Sequence, residues 1–138
     1  MCPQCLELEI TESQLMDNAM AAQAQMAALK ALGLQLSIDD FGTGYSSMSY
    51  LKRYALDKLK IDQSFIRDLA HDAGDQAIVN AIVKMAHSLG LSTIAEGVET
   101  AEQLAFLEAT GCDEIQGYWY SRPVDAVAFE AFVAQQPR

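Results

Sequence analysis

Five times along this chain a short run of alternating apolar and polar residues gives way to a stretch with helical spacing. That rhythm limits the fold more than any other feature. Strands are expected at 6–10, 34–40, 56–61, 91–95 and 112–116, and helices at about 17–32, 46–53, 75–89, 102–109 and 125–135. In the second strand Leu34, Leu36 and Ile38 point one way, while Gln35, Ser37 and Asp39 point the other. In the third, Leu59 and Ile61 oppose Lys58 and Lys60. The fourth is less clean, because Glu96 shares parity with Ile94. Thr11, Glu12 and Ser13 read as a loop. The helices show apolar stripes, Ala22, Met26, Leu29 and Leu32 in one and Ile78, Ile82, Met85 and Leu89 in another, and Gly33, Gly90 and Gly111 stop three of them.

Regular strand–helix alternation implies a parallel sheet covered by helices, either open or closed into a barrel. The polar strand ends decide between the two. Glu9, Asp39, Lys60, Glu96 and Gln116 each sit at the C-terminal end of a different strand. In an open sheet they would spread over about 20 Å, at roughly 4.8 Å per strand. In a barrel they converge on one mouth, where active sites of such barrels lie. The expected fold class is therefore α/β, the C-terminal part of a TIM-like (β/α)8 barrel with about five βα units. A complete barrel takes roughly 250 residues and eight strands; the chain has 138 residues.

Composition narrows the chemistry. A formal net charge of -10 argues against a nucleic-acid polymer as partner, which would need basic patches. No apolar run approaches the roughly 20 residues of a membrane span, and no signal peptide is visible. Three cysteines, with no such leader, fit a reducing cytoplasm. Cys2 and Cys5 form one C-x-x-C, which without a second pair supplies only half of a zinc site. Residues 1–5 are expected to be an N-terminal tail and 6–138 a single partial domain.

The adjacent carboxylates of Asp39 and Asp40 repel each other unless a cation or proton sits between them. Gly42 and Gly44 follow and let the backbone approach whatever occupies the site. A divalent metal handling a phosphate suits this arrangement, and a solvated acidic turn is the plain alternative.

Five ordered motifs go further. They are Leu6-Glu-Leu-Glu9-Ile-Thr-Glu12, Asp39-Asp40-Phe-Gly-Thr-Gly-Tyr-Ser-Ser47, Leu59-Lys60-Ile-Asp62-Gln-Ser-Phe65, Ala95-Glu96-Gly-Val-Glu99-Thr100, and Gln116-Gly-Tyr118 through Ser121-Arg-Pro123. Together they resemble the EAL-domain family of cyclic-di-GMP phosphodiesterases, over nearly the whole chain after residue 5. The resemblance implies two divalent metals, Mg2+ or Mn2+, at the strand ends, and hydrolysis of cyclic di-GMP to linear pGpG by the two-metal logic of phosphodiester cleavage. It implies metal ligation by Glu9, Asp39, Asp40 and Glu96, with Asp39 bridging. Lys60 and Glu96 take catalytic roles, Lys60 at the nucleophilic water or phosphate. Glu12 anchors the loop from Phe41 to Ser47. Asp62, Glu99, Gln116 and Pro123 take substrate or supporting roles.

The departures from the family pattern matter as much. The Glu-Ala-Leu tripeptide, its nearby arginine and an asparagine ligand belong to N-terminal strands that have no counterpart in this sequence. Ala55 and Met48 stand where proline and leucine are common, with no consequence for the chemistry. The expectation is a chain carrying most of the metal ligands, inactive alone, and forming a homo-oligomer or pairing with an N-terminal half of the domain. The alternative is a non-catalytic remnant that binds cyclic di-GMP or serves an oligomerising or structural role.

Overall fold

In the computed structural model, residues 2–17, 19–44 and 48–135 are described. A 3-10 turn, Pro3–Cys5, leads into β1 (Glu7–Thr11). Then follow α1 (Glu12–Asp17), α2 (Ala19–Ala31), β2 (Gln35–Phe41), α3 (Ser49–Arg53) and β3 (Lys58–Ile61). The second half runs α4 (Gln63–Ile66), α5 (Ala73–Ser88), β4 (Ser92–Glu96), α6 (Ala101–Thr110), β5 (Glu114–Gln116) and α7 (Ala126–Ala134). The five strands form one sheet in chain order, β1-β2-β3-β4-β5, and every pair is parallel.

Strand parity assigns the two faces. Leu36, Ile38, Leu59, Ile61 and Ala95 are buried on the outer face, against Ile66, Leu69, Val79, Val83 and Leu107 from the covering helices and loops. Each such side chain contributes roughly 1.5–3 kcal/mol on burial. Lys58 and Lys60 project from the inner face of β3. Lys58 Nζ donates to Glu7 Oε2 on β1 at 2.8 Å and to Glu114 Oε2 on β5 at 2.9 Å. In a flat sheet those two edge strands would lie about 19 Å apart, at roughly 4.8 Å per strand. One lysine on the middle strand reaches both because the sheet curls inward, as a barrel wall does. Burial opposes the charge on Lys58, but its two carboxylates outweigh that and hold its ammonium above the ordinary lysine range.

Some local expectations change. Residues 11–13 are not a loop: Thr11 closes β1 and Glu12 opens α1, with the Thr11 N–H donating to the Gln14 side chain. Leu32 lies past the end of α2 and is 66% exposed. In α5 the buried row is Val79, Ile82, Val83 and Ala86, while Ile78 and Leu89 are 41% and 39% exposed. The helix sits on the sheet by its 79-82-83-86 face, so Ile78 and Met85 fall to its flank. There they line an apolar cavity with Phe41, Met48, Phe65 and Ile82. Of the short helix expected at 46–53, residues 46 and 47 lie outside the described residues, and α3 begins at Ser49.

Helix ends are capped by the residues their sequences supply. Asp72 accepts from the Asp75 N–H at 2.9 Å, and Asp125 from the Ala128 N–H at 2.9 Å. Thr100 and Gln103 form a reciprocal capping box at the start of α6. The Gln103 amide also donates to the Ile66 carbonyl at 3.0 Å, tying α6 to the end of α4.

Candidate functional site

Three strands bring their C-terminal side chains to Lys60. Its ammonium lies 2.6 Å from Glu9 Oε1 on β1, 2.7 Å from Glu96 Oε1 on β4 and 3.6 Å from Asp39 Oδ1 on β2. The lysine side chain is 4% exposed. Burial opposes its charge, but hydrogen bonds to Glu9 and Glu96 outweigh that and push it above the ordinary lysine range. Glu96 moves the other way for a carboxyl. Burial raises it, and nearby Asp39 and Glu9 add to that, so Lys60 offsets the rise only in part.

Asp40 stands at the tip of β2 with φ +56, in the left-handed region that non-glycine residues seldom adopt. Its N–H donates to Asp39 Oδ1 at 2.9 Å. Burial and the charges of Asp39 and Asp62 raise its carboxyl above the usual aspartate range. Asp62 also caps α4 by accepting from the Ser64 N–H at 2.8 Å. Below this tip Glu12 is buried, and its Oε2 accepts from the Gly42 N–H at 3.3 Å. It thereby joins the start of α1 to the glycine loop. Residues 45–47 of the loop expected at 41–47 lie outside the described residues.

Glu96, Glu99 and Gln116 share one cavity of about 320 Å³ with Gln63, Gly97, Gly117 and Tyr118. Pro123 lines an adjoining cavity, where Gln116 and Tyr118 form the common wall and Arg122 stacks 4.7 Å over the Tyr118 ring. Glu9, Asp39, Lys60 and Glu96 are thus brought into direct contact. Asp40 and Asp62 adjoin them electrostatically, Glu99 and Gln116 adjoin through the cavity, and Pro123 lies one cavity away. Gln63 was missed as a site residue. Its side chain packs against Gly97, and only its place directly after Asp62 hinted at it.

Among the described residues, no three histidine, cysteine, aspartate or glutamate side chains are arranged to hold a metal ion as they stand. The carboxylates are gathered around the Lys60 ammonium instead. The donor set itself is all carboxylate oxygen, which suits hard divalent cations.

A curved parallel α/β wall with a lysine ringed by carboxylates at its strand ends has the layout of a barrel whose functional side chains sit at the C-terminal ends of its strands. The EAL domain family matches residues 2–123, and this chain belongs to that family. Its five βα units are the C-terminal part of a TIM-like (β/α)8 barrel. Cyclic di-GMP phosphodiesterase NbdA of Pseudomonas aeruginosa is 51% identical over 128 residues, which are 93% of this chain and 16% of that protein. The chain also superposes on the PaMucR phosphodiesterase in complex with c-di-GMP, with a TM-score of 0.89 and 49% identity, over 94% of this chain and 52% of that one. BlrP1 of Klebsiella pneumoniae, solved as a manganese/cy-diGMP complex, is 37% identical with a TM-score of 0.83, over 89% of this chain and 31% of that one. The chain thus spans about a sixth of the curated relative, about half of the first solved structure and just under a third of the second. Among the described residues no helix is long and apolar enough to cross a membrane.

Proposed function

We propose that this chain forms the larger part of a cyclic-di-GMP phosphodiesterase site that is inactive without the remaining barrel strands. The observation that carries the reading is the convergence of Glu9, Asp39 and Glu96 on Lys60 at the strand ends. Relatives named as cyclic di-GMP phosphodiesterases and structures solved with c-di-GMP and manganese support it. In this reading Glu9, Asp39, Asp40 and Glu96 hold divalent metals, Mn2+ or Mg2+. When bound, such ions lower the pKa of water and neutralise charge on a phosphodiester. Lys60 orients the phosphate side of the site and stabilises developing negative charge. Glu96, whose carboxyl is raised by burial and by the nearby Asp39 and Glu9 charges, accepts or releases a proton beside it. Glu12 holds the glycine loop by Gly42, and Asp62, Glu99, Gln116 and Pro123 shape the substrate side. In this reading the in-line geometry is completed by ligands from the N-terminal strands of the barrel, which lie outside these residues.

The test follows conversion of cyclic di-GMP to pGpG with manganese present. The expected result is negligible turnover by the chain alone. Turnover is expected when the first barrel strands of a related EAL domain are supplied, and it is lost in Asp39→Ala. Hydrolysis by the isolated chain at enzyme-like rates, on the order of 1 to 1000 per second, and abolished in Asp39→Ala, would overturn the inactive part of the reading. No turnover in the complemented chain would overturn the assignment of the site.

A further inference from the structure

At the far end of the sheet from Lys60, two thiols share one turn. Cys2 and Cys5 are both exposed and free, and they flank the turn that enters β1. The Cys5 N–H donates to the Cys2 carbonyl at 3.0 Å. A turn closed in this way keeps its end Cα atoms within about 7 Å, which overlaps the separations of about 4.4–6.8 Å that disulfides span. The turn is also held in place. The Leu6 N–H donates to the Pro3 carbonyl at 3.0 Å, and the Gln35 N–H donates to the Leu6 carbonyl at 3.0 Å. Pro3 at the first helical position fixes φ, and the side chains of Pro3 and Gln4 lie over Gly33. The two thiols are therefore presented together on an anchored turn. A tetrahedral zinc site would need two further ligands, and among the described residues no third histidine, cysteine, aspartate or glutamate is grouped with Cys2 and Cys5 to supply one. Cys112 differs: its Sγ points at the Thr93 and Glu114 carbonyls, and burial raises its thiol.

We propose that Cys2 and Cys5 form a reversible dithiol–disulfide couple that exchanges with low-molecular-weight disulfides. One cysteine, as thiolate, attacks a sulfur of the small disulfide. A mixed disulfide forms and one small thiolate leaves. The second cysteine, also as thiolate, attacks the protein sulfur of that mixed bond and expels the second small thiolate. Two protein thiols are oxidised, one small disulfide is reduced, and the two protons pass to the two released thiolates. This couple is independent of the phosphodiesterase reading.

The test equilibrates the whole chain in buffers of varied reduced-to-oxidised glutathione ratio, alkylates the remaining thiols and measures intact and peptide masses. The expected result, as glutathione disulfide rises, is a chain carrying one alkyl group in place of three and lacking the two thiol hydrogens of Cys2 and Cys5, with the bond mapped between those two residues and Cys112 alkylated throughout. Cys2→Ser and Cys5→Ser should each abolish that loss and carry one glutathione instead, whereas Cys112→Ser should behave as the parent does. Three outcomes would overturn the proposal: both thiols alkylated at every ratio, a stable glutathione on each cysteine, or a disulfide that joins two chains or involves Cys112.

Discussion

Removing the ammonium of Lys60 would leave Glu9, Asp39 and Glu96 facing one another on the inner side of the sheet. Breaking a buried pair typically costs 3–5 kcal/mol because a charge is left uncompensated. Glu9 is half exposed here, so water screens part of that loss. Lys60→Ala is expected to lower stability by about 2–4 kcal/mol, read as a fall in the urea midpoint. A change under about 1 kcal/mol would mean that solvent already screens the cluster. Asp113 makes a second residue-scale case, away from the site. Burial opposes its charge, but the His87 ring at 2.8 Å and two donors from Thr93 outweigh it and hold its carboxyl below the usual range. A lowered carboxyl contributes stability above its unfolded value of about 3.9, and that contribution disappears as pH falls through the native value. The parent should therefore exceed Asp113→Asn in stability at pH 6, and the gap should shrink progressively below about pH 4. A gap that stayed constant down to acid pH would assign the effect to packing.

At the scale of elements, the turn leaving β4 is set by Gly97. Its φ is +74, and a Cβ built there would stand 2.8 Å from the Gln63 Cβ. Gly90, between α5 and β4, has φ +75 but nothing within 4 Å of its Cβ position. The pair separates two costs. Gly90→Ala should lose about 1–2 kcal/mol, the cost of placing a side chain in the left-handed region. Gly97→Ala should lose at least about 1 kcal/mol more, because Gln63 must also be displaced. Chemical denaturation of both variants checks this, and equal losses would show that α4 shifts freely. Gln63 lines the cavity of Glu96 and Gln116, so the same contact positions one wall of the site.

For the whole molecule, the open edges and the last helix govern association. In α7 no residue is buried, and Val127, Phe129 and Val133 are 78%, 56% and 52% exposed. Trp119 and Tyr120 on the preceding loop are exposed as well. Among the described residues, β1 and β5 each have one unpaired edge, with no proline in either strand. Unprotected edges and apolar patches favour self-association or pairing with the rest of a barrel. Light scattering at micromolar concentration should give a mass above 15.1 kDa. Phe129→Glu with Val133→Glu should shift it toward the monomer. A parent that runs as a clean monomer would show that the edges are quiet.

Strand parity alone puts Leu36, Ile38, Leu59 and Ile61 on one face and Lys58 and Lys60 on the other, because side-chain direction in a strand alternates with period two. The glycine stops and the five motifs were legible for the same reason: each is a local pattern. The buried row of α5 was not, since Ile78 and Val79 are equally apolar and only the angle at which the helix meets the sheet selects between them. Nor was the opening of α1 at Glu12, whose carboxylate is buried where Gly42 can donate to it. The sequence placed Glu9, Asp39, Lys60 and Glu96 at strand ends. That Lys60 itself gathers the other three, and that Lys58 ties β1 to β5, depends on register and on the curl of the sheet. Those are set by packing between segments some 30 to 60 residues apart, and no local periodicity encodes them.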